Sequence, residues 1–169
     1  MRYTINWGII LYMTRTKSTC IFISVLMLMG LASCSTVPPS QNPARIQGLI
    51  KALNTEPVER LMERSNRPFL LDGEIIIREA DMEALWQNLR NGGFTFLNAE
   101  ILSVTPVGPE SYRLFGTTKE AEFFFKKYVP KDGAIAEIGT DYGTFYIITG
   151  SRTWFTPKII GFTSKGVNQ

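Results

Sequence analysis

Phe69-Leu70-Leu71-Asp72-Gly73-Glu74-Ile75-Ile76-Ile77, followed after four intervening residues by Met82, Leu85, Trp86 and Leu89, is the segment from which the architecture is read. Two apolar runs flank an Asp-Gly dipeptide, and a two-residue hairpin loop needs positive φ at both central positions, which Asp and Gly tolerate. The apolar spacing then changes to i, i+3, i+4, i+7, the stripe of an amphipathic helix, with Asp81 near its start and Gly92-Gly93 just past its end. Upstream, Ile46, Leu49, Ile50 and Leu53 repeat the helical spacing, and Asn54-Thr55 read as the cap of a second short helix with Pro57 in its first turn and Val58, Leu61 and Met62 on its inner face. Downstream, residues 96–107, 111–115, 144–150 and 154–162 read as extended. Residues 117–129 admit two readings. Ala121, Phe124, Phe125 and Tyr128 fit a helix with a Thr117/Glu120 capping box, the preferred one, whereas a strand continuing from Tyr112 would put Ala121, Phe123 and Phe125 on one face. The expected class is α+β, with N-terminal short helices and a third helix packed on a curved, mostly antiparallel sheet.

Composition limits the chemistry. The 169 residues are 44% apolar and 20% charged and include no histidine, so imidazole is unavailable as base, nucleophile or metal ligand. Of 18 Lys+Arg, the three at Arg2, Arg15 and Lys17 precede residue 34 in a stretch without acids, leaving 15 basic against 15 acidic residues beyond it. A neutral body gives no footing for nucleic acid, which needs clustered basic charge.

Cys20 to Leu31 is an uncharged run of twelve residues behind Arg15 and Lys17. A bilayer core needs about 20 helical residues, so the run reads as the apolar core of a signal peptide. Leu31-Ala32-Ser33-Cys34 after it resembles the bacterial lipobox: an aliphatic residue, two small residues and a cysteine. That resemblance implies diacylglyceryl transfer to the Cys34 thiol, cleavage before Cys34 with Leu31, Ala32 and Ser33 as the peptidase recognition residues, and a mature protein held in the membrane by lipid. Two acyl chains at about 0.8 kcal/mol per buried methylene give on the order of 20 kcal/mol of anchoring. Ser35 in place of an Asp favours the outer membrane if the cell is Gram-negative. Residues 1–33 are then the leader, with Met13 the expected start. Residues 34–44, which contain three prolines and no charge, are the lipidated Cys and a tether. Residues 45–164 form one domain, and 165–169 are a tail. With Cys20 removed and Cys34 acylated, the body has no thiol for disulfides, catalysis or metal, and no cofactor is expected.

The order of elements, closing in Pro157-Lys158-Ile159-Ile160-Gly161-Phe162, is similar to the nuclear-transport-factor-2-like cone, in which a curved sheet wraps around helices. A cystatin-like or other helix-on-sheet fold is the alternative, and a helix at 117–129 would be an insertion in the cone. The cone family includes isomerases, dehydratases, binding proteins and assembly factors, so the resemblance implies no single activity. A cone enzyme would set a carboxylate and a Tyr or protonated acid into an apolar cavity. Asp72, Glu74, Asp81, Glu100, Glu137, Asp141, Tyr112, Tyr142 and Tyr146 supply the residue types, but no spacing singles out a pair. The favoured reading is a noncatalytic envelope module that binds an envelope protein or a small apolar ligand through its β-rich end. Trp154, Phe155 and Tyr146 are the candidate surface, because adjacent strand residues face opposite ways and both Trp154 and Phe155 can be buried only in a sheet covered on both sides.

Overall fold

Asp72 and Gly73 take φ angles of 46° and 87°, so the chain reverses there and strand β1 (Ser65–Leu71) pairs antiparallel with β2 (Glu74–Ile76), Phe69 opposite Ile76 and Leu71 opposite Glu74. This is the hairpin read from the sequence. The computed structural model describes residues 38–151 and 157–166.

Helix α1 (Pro43–Thr55) starts with the Asn42 side chain accepting from the Ala44 and Arg45 amides, and buries the expected stripe of Ile46, Leu49, Ile50 and Leu53. Helix α2 (Val58–Arg64) has Pro57 at its cap position with no side-chain cap. Asn54, read as part of that cap, instead brackets a distant loop: it accepts from Phe96 N at 2.8 Å and donates to Phe96 O at 3.1 Å. Helix α3 (Glu79–Asn91) buries Met82 and Trp86 and ends at Gly92-Gly93, where Gly93 has φ 70° and Phe94 N donates back to Leu89 O. Arg90 then ties α3 to the end of α1, donating to the carbonyls of Leu53, Asn54 and Glu56. A cation there meets the negative end of the α1 dipole.

Strands β3 (Glu100–Pro106), β4 (Ala134–Thr140), β5 (Gly143–Ser151) and β6 (Pro157–Ser164) complete a six-stranded sheet in the order β2-β1-β6-β5-β4-β3. Every pairing is antiparallel except β1 with β6. The registers slip between Ile101 and Ser103 and between Ile148 and Thr149, irregularities that bend a sheet. Strand β4 was not expected from the sequence. Residues 111–115, expected extended, instead make a 3-10 turn at Ser111–Leu114, where Ser111 Oγ accepts from Gly108 N and closes the chain after Pro109.

Side chains alternate along the strands and feed two cores. Phe69, Ala136, Ile138, Phe145, Ile147, Ile159 and Phe162 face α1, α2 and α3. Leu70, Ile135, Ile148 and Ile160 face the other way, onto Phe115 and onto Phe124 and Phe125 of helix α4 (Lys119–Tyr128). The preferred helical reading of 117–129 is realised, with Thr118 rather than Thr117 capping it by accepting from Ala121 N. The class is α+β, helices on a mostly antiparallel sheet, with one helix on the second face.

Packed structure also begins ahead of Arg45. A 3-10 turn at Pro39–Gln41 lies against the sheet end. Ser40 is fully buried, its hydroxyl donates to Asp132 O, and its carbonyl accepts from the buried Thr149 hydroxyl at 2.7 Å. Part of the stretch read as tether thus has polar partners inside the domain. Among the described residues no helix is long and apolar enough to cross a membrane.

Candidate functional site

Of the residues singled out beforehand, Cys34, Leu31, Ala32, Ser33, Trp154 and Phe155 lie outside the described residues, and Tyr146 lies within them. Tyr146 stands on β5 directly opposite Glu137 of β4, on the α4 side of the sheet. Lys165, one residue beyond β6, donates to Glu137 Oε1 at 2.8 Å and holds its ammonium 5.8 Å from the Tyr146 ring centre, while Ser103 donates to Glu137 Oε2 at 3.3 Å. The Lys165 hydrogen bond holds the Glu137 carboxyl below the usual carboxylate range, and the same bond raises the Lys165 ammonium. A carboxylate stabilised in this way is a poor proton acceptor at neutral pH, so the carboxylate and Tyr that the structure brings together form an ion-paired patch and not a poised base.

The other acid candidates sit apart. Asp72 accepts from the Thr163 hydroxyl and Ser164 N, locking the hairpin turn to β6. Asp141 accepts from Asn98 at 2.8 Å. Glu74, Asp81, Glu100 and Tyr142 are exposed, and Tyr112 lies in the 3-10 turn. On the helix side, where a cone enzyme would open its cavity, rings meet edge to face: Phe69 with Trp86 and with Phe162 at centroid distances of 6.1 and 5.9 Å, and Phe94, Phe96 and Phe145 mutually at 5.2 to 5.7 Å. These contacts pack hydrocarbon between helices and sheet, and beside them clefts open between α2 and α3, of about 380 Å³, and between α1 and residues 96–99, of about 410 Å³.

A groove opens on the α4 face, where the last turn of α4 passes the ends of β5 and β6. It holds about 270 Å³ and is lined by Asn66, Arg67, Tyr128, Pro130, Gly150, Lys158 and Ile160. Its lining combines Tyr128, Pro130 and Ile160 with the amide of Asn66 and the cations Lys158 and Arg67, the latter paired with Glu79. Gly150 pairs with Lys158 across β5 and β6, and residues 152–156, which carry Trp154 and Phe155, join those strands. Next to the groove Phe123 is 53% exposed, and the Lys127 ammonium lies 5.1 Å from the ring centres of both Phe123 and Tyr128, a cation–π arrangement. The sequence reading missed Tyr128, Lys158 and Phe123 as surface residues. The available signal was the run Phe123-Phe124-Phe125, because a helix can bury only part of three consecutive positions.

Among the described residues no group of three or more His, Cys, Asp or Glu side chains is arranged to hold a metal ion. Comparison with protein-family models, with curated proteins and with solved structures returns no match for this chain.

Proposed function

We propose that the chain is a lipid-anchored envelope lipoprotein whose body binds a partner protein without catalysing a reaction, and that its fold is a cone of the nuclear-transport-factor-2-like kind with α4 inserted between β3 and β4. The element order and the irregular, mostly antiparallel sheet support the cone. The observation that carries the noncatalytic reading is the packing of rings between helices and sheet among the described residues, because an isomerase or dehydratase of the cone type sets its substrate in that space. Binding then falls to the outer face, where the groove beside Tyr128 and Lys158 continues in sequence into Trp154 and Phe155.

Mass spectrometry of the membrane-extracted protein tests the anchor: the mature N-terminus should be Cys34 carrying acyl mass, and Cys34→Ser should move the protein out of the detergent phase. An unmodified N-terminus elsewhere rejects it. For the surface, Trp154→Ala or Phe155→Ala should cost about 1 kcal/mol or less in stability for whichever residue faces out, while reducing cross-linking of an envelope protein to a photoreactive residue placed at Asn66. Equal, severe destabilisation by both substitutions rejects the aromatic surface.

A further inference from the structure

Cys34, the lipid-bearing residue of the reading just given, precedes the first described residue, Pro38, by four positions. Four residues extend about 14 Å at most, and a domain of this size has a radius of gyration of about 14 Å. The chain enters the domain at the buried Ser40, against Asp132 and Thr149. A lipid on Cys34 therefore keeps this end of the sheet within one domain radius of the headgroups.

The two ends differ in charge. Around the entry point lie the last turn of α4, with exposed Lys126 and Lys127, the Pro130–Gly133 turn with exposed Lys131, and the start of β6 with half-buried Lys158. The acids in this neighbourhood are Asp132, Glu79, which is paired with Arg67 of the groove, and Glu110, which is paired with Arg113. At the far end, where the β1–β2 and β4–β5 turns and the start of α4 meet, stand Asp72, Glu74, Glu100, Glu120, Glu122 and Asp141 against Lys119 and the ion-paired Lys165. The acids Glu59, Glu63, Glu79 and Glu83 flank a second groove, between α2 and α3, which adjoins the first at Arg67; there Glu63 is paired with Arg60 and Glu79 with Arg67. A body that is neutral in sum is thus polarised along its strands, with the lysine end at the anchor.

We infer that this lysine end is a docking face for an anionic phospholipid surface, engaged by Lys126, Lys127 and Lys131 beside the groove that Lys158 lines, so that the anchored domain lies on the membrane in one orientation with its acidic end outward. The inference rests on lipidation at Cys34. Each lysine near an anionic leaflet is worth about a fivefold factor in partition, and the short tether removes most of the translational cost of meeting the surface.

The test uses the full chain, expressed where it is processed and reconstituted into vesicles of phosphatidylcholine with or without phosphatidylglycerol. A dye is attached at Lys131→Cys or, at the opposite end, at Tyr142→Cys, and the vesicles contain a lipid with a nitroxide on its headgroup. With phosphatidylglycerol the dye at 131 should be quenched and the dye at 142 should not. The contrast should disappear in 1 M salt, where the screening length is about 3 Å. Lys126→Gln and Lys127→Gln together should weaken docking about 25-fold while the protein still floats with the vesicles. Equal quenching at both sites, or quenching at 131 indifferent to phosphatidylglycerol and salt, in a protein that carries acyl mass overturns the docking alone. A protein without acyl mass overturns the anchor and the docking with it.

Discussion

Trp86 donates its indole N–H to Ser65 Oγ at 3.0 Å, and that hydroxyl in turn donates to Leu61 O at 2.7 Å, so a single chain of hydrogen bonds joins α3, β1 and α2 beneath the ring. The ring itself is buried against Phe69 and Phe162. Trp86→Ala should cost about 3 to 5 kcal/mol, read from a urea melt of the chain from Val37, and Trp86→Phe should recover most of it, because the volume matters more than the one hydrogen bond. Gly161 has a different kind of importance. A Cβ there would lie 2.4 Å from Leu70 O and 2.9 Å from the Leu70 Cβ, in the parallel contact of β6 with β1. Gly161→Ala should therefore force the two strands apart and cost more than 2 kcal/mol, a large effect for one methyl group. A melt within 0.5 kcal/mol of the parent would show that the strands yield freely.

Among the elements, the ones legible in sequence were those whose own residues carry their reason for existing. The α1 and α3 stripes and the Asp72-Gly73 turn are local patterns. Strand β4 was invisible because Ala134, Ala136 and Gly139 are weak strand formers. They suit it because β4 lies between β3 and β5 with residues 134–136 buried, Ala136 in one core and Ile135 in the other. The role of Asn54 was misread because an Asn between two helical stretches looks like a cap, while its partner Phe96 lies 42 residues on. The groove was partly hidden for the same reason, since Tyr128, Gly150 and Lys158 come from three elements that only the tertiary fold brings together. At the junction of α1 and α2, Arg64 donates to both carboxylate oxygens of Glu56, which lowers the Glu56 pKa and raises that of Arg64. The pair's stabilisation is complete above the ordinary carboxylate value of 4.5 and lost as pH falls through the lower folded value. Arg64→Gln should therefore lower stability by about 0.5 to 1 kcal/mol at pH 7, with the gap from the parent narrowing as pH falls below 4.5, as followed by urea melts across that range.

For the whole molecule, the turn at Pro39–Gln41 belongs to the folded body. A chain beginning at Arg45 loses the Ser40 contacts and leaves the Thr149 hydroxyl without its Ser40 acceptor, although the bond to Ala134 O at 3.2 Å remains. It should melt about 1 to 3 kcal/mol below a chain beginning at Val37. Equal melting would place the turn outside the cooperative unit.

The central position of β6 governs how the protein can be made. β6 is the last strand in the chain, yet it lies between β1 and β5, so until it arrives the β1–β2 hairpin and the β3–β4–β5 meander are two separate sheets, each with a bare apolar edge. A chain synthesised from its N-terminus cannot close its fold until residue 164 has emerged. The cost is exposure, because a copy halted before Pro157 presents two unpaired strand edges to its neighbours and is a seed for aggregation.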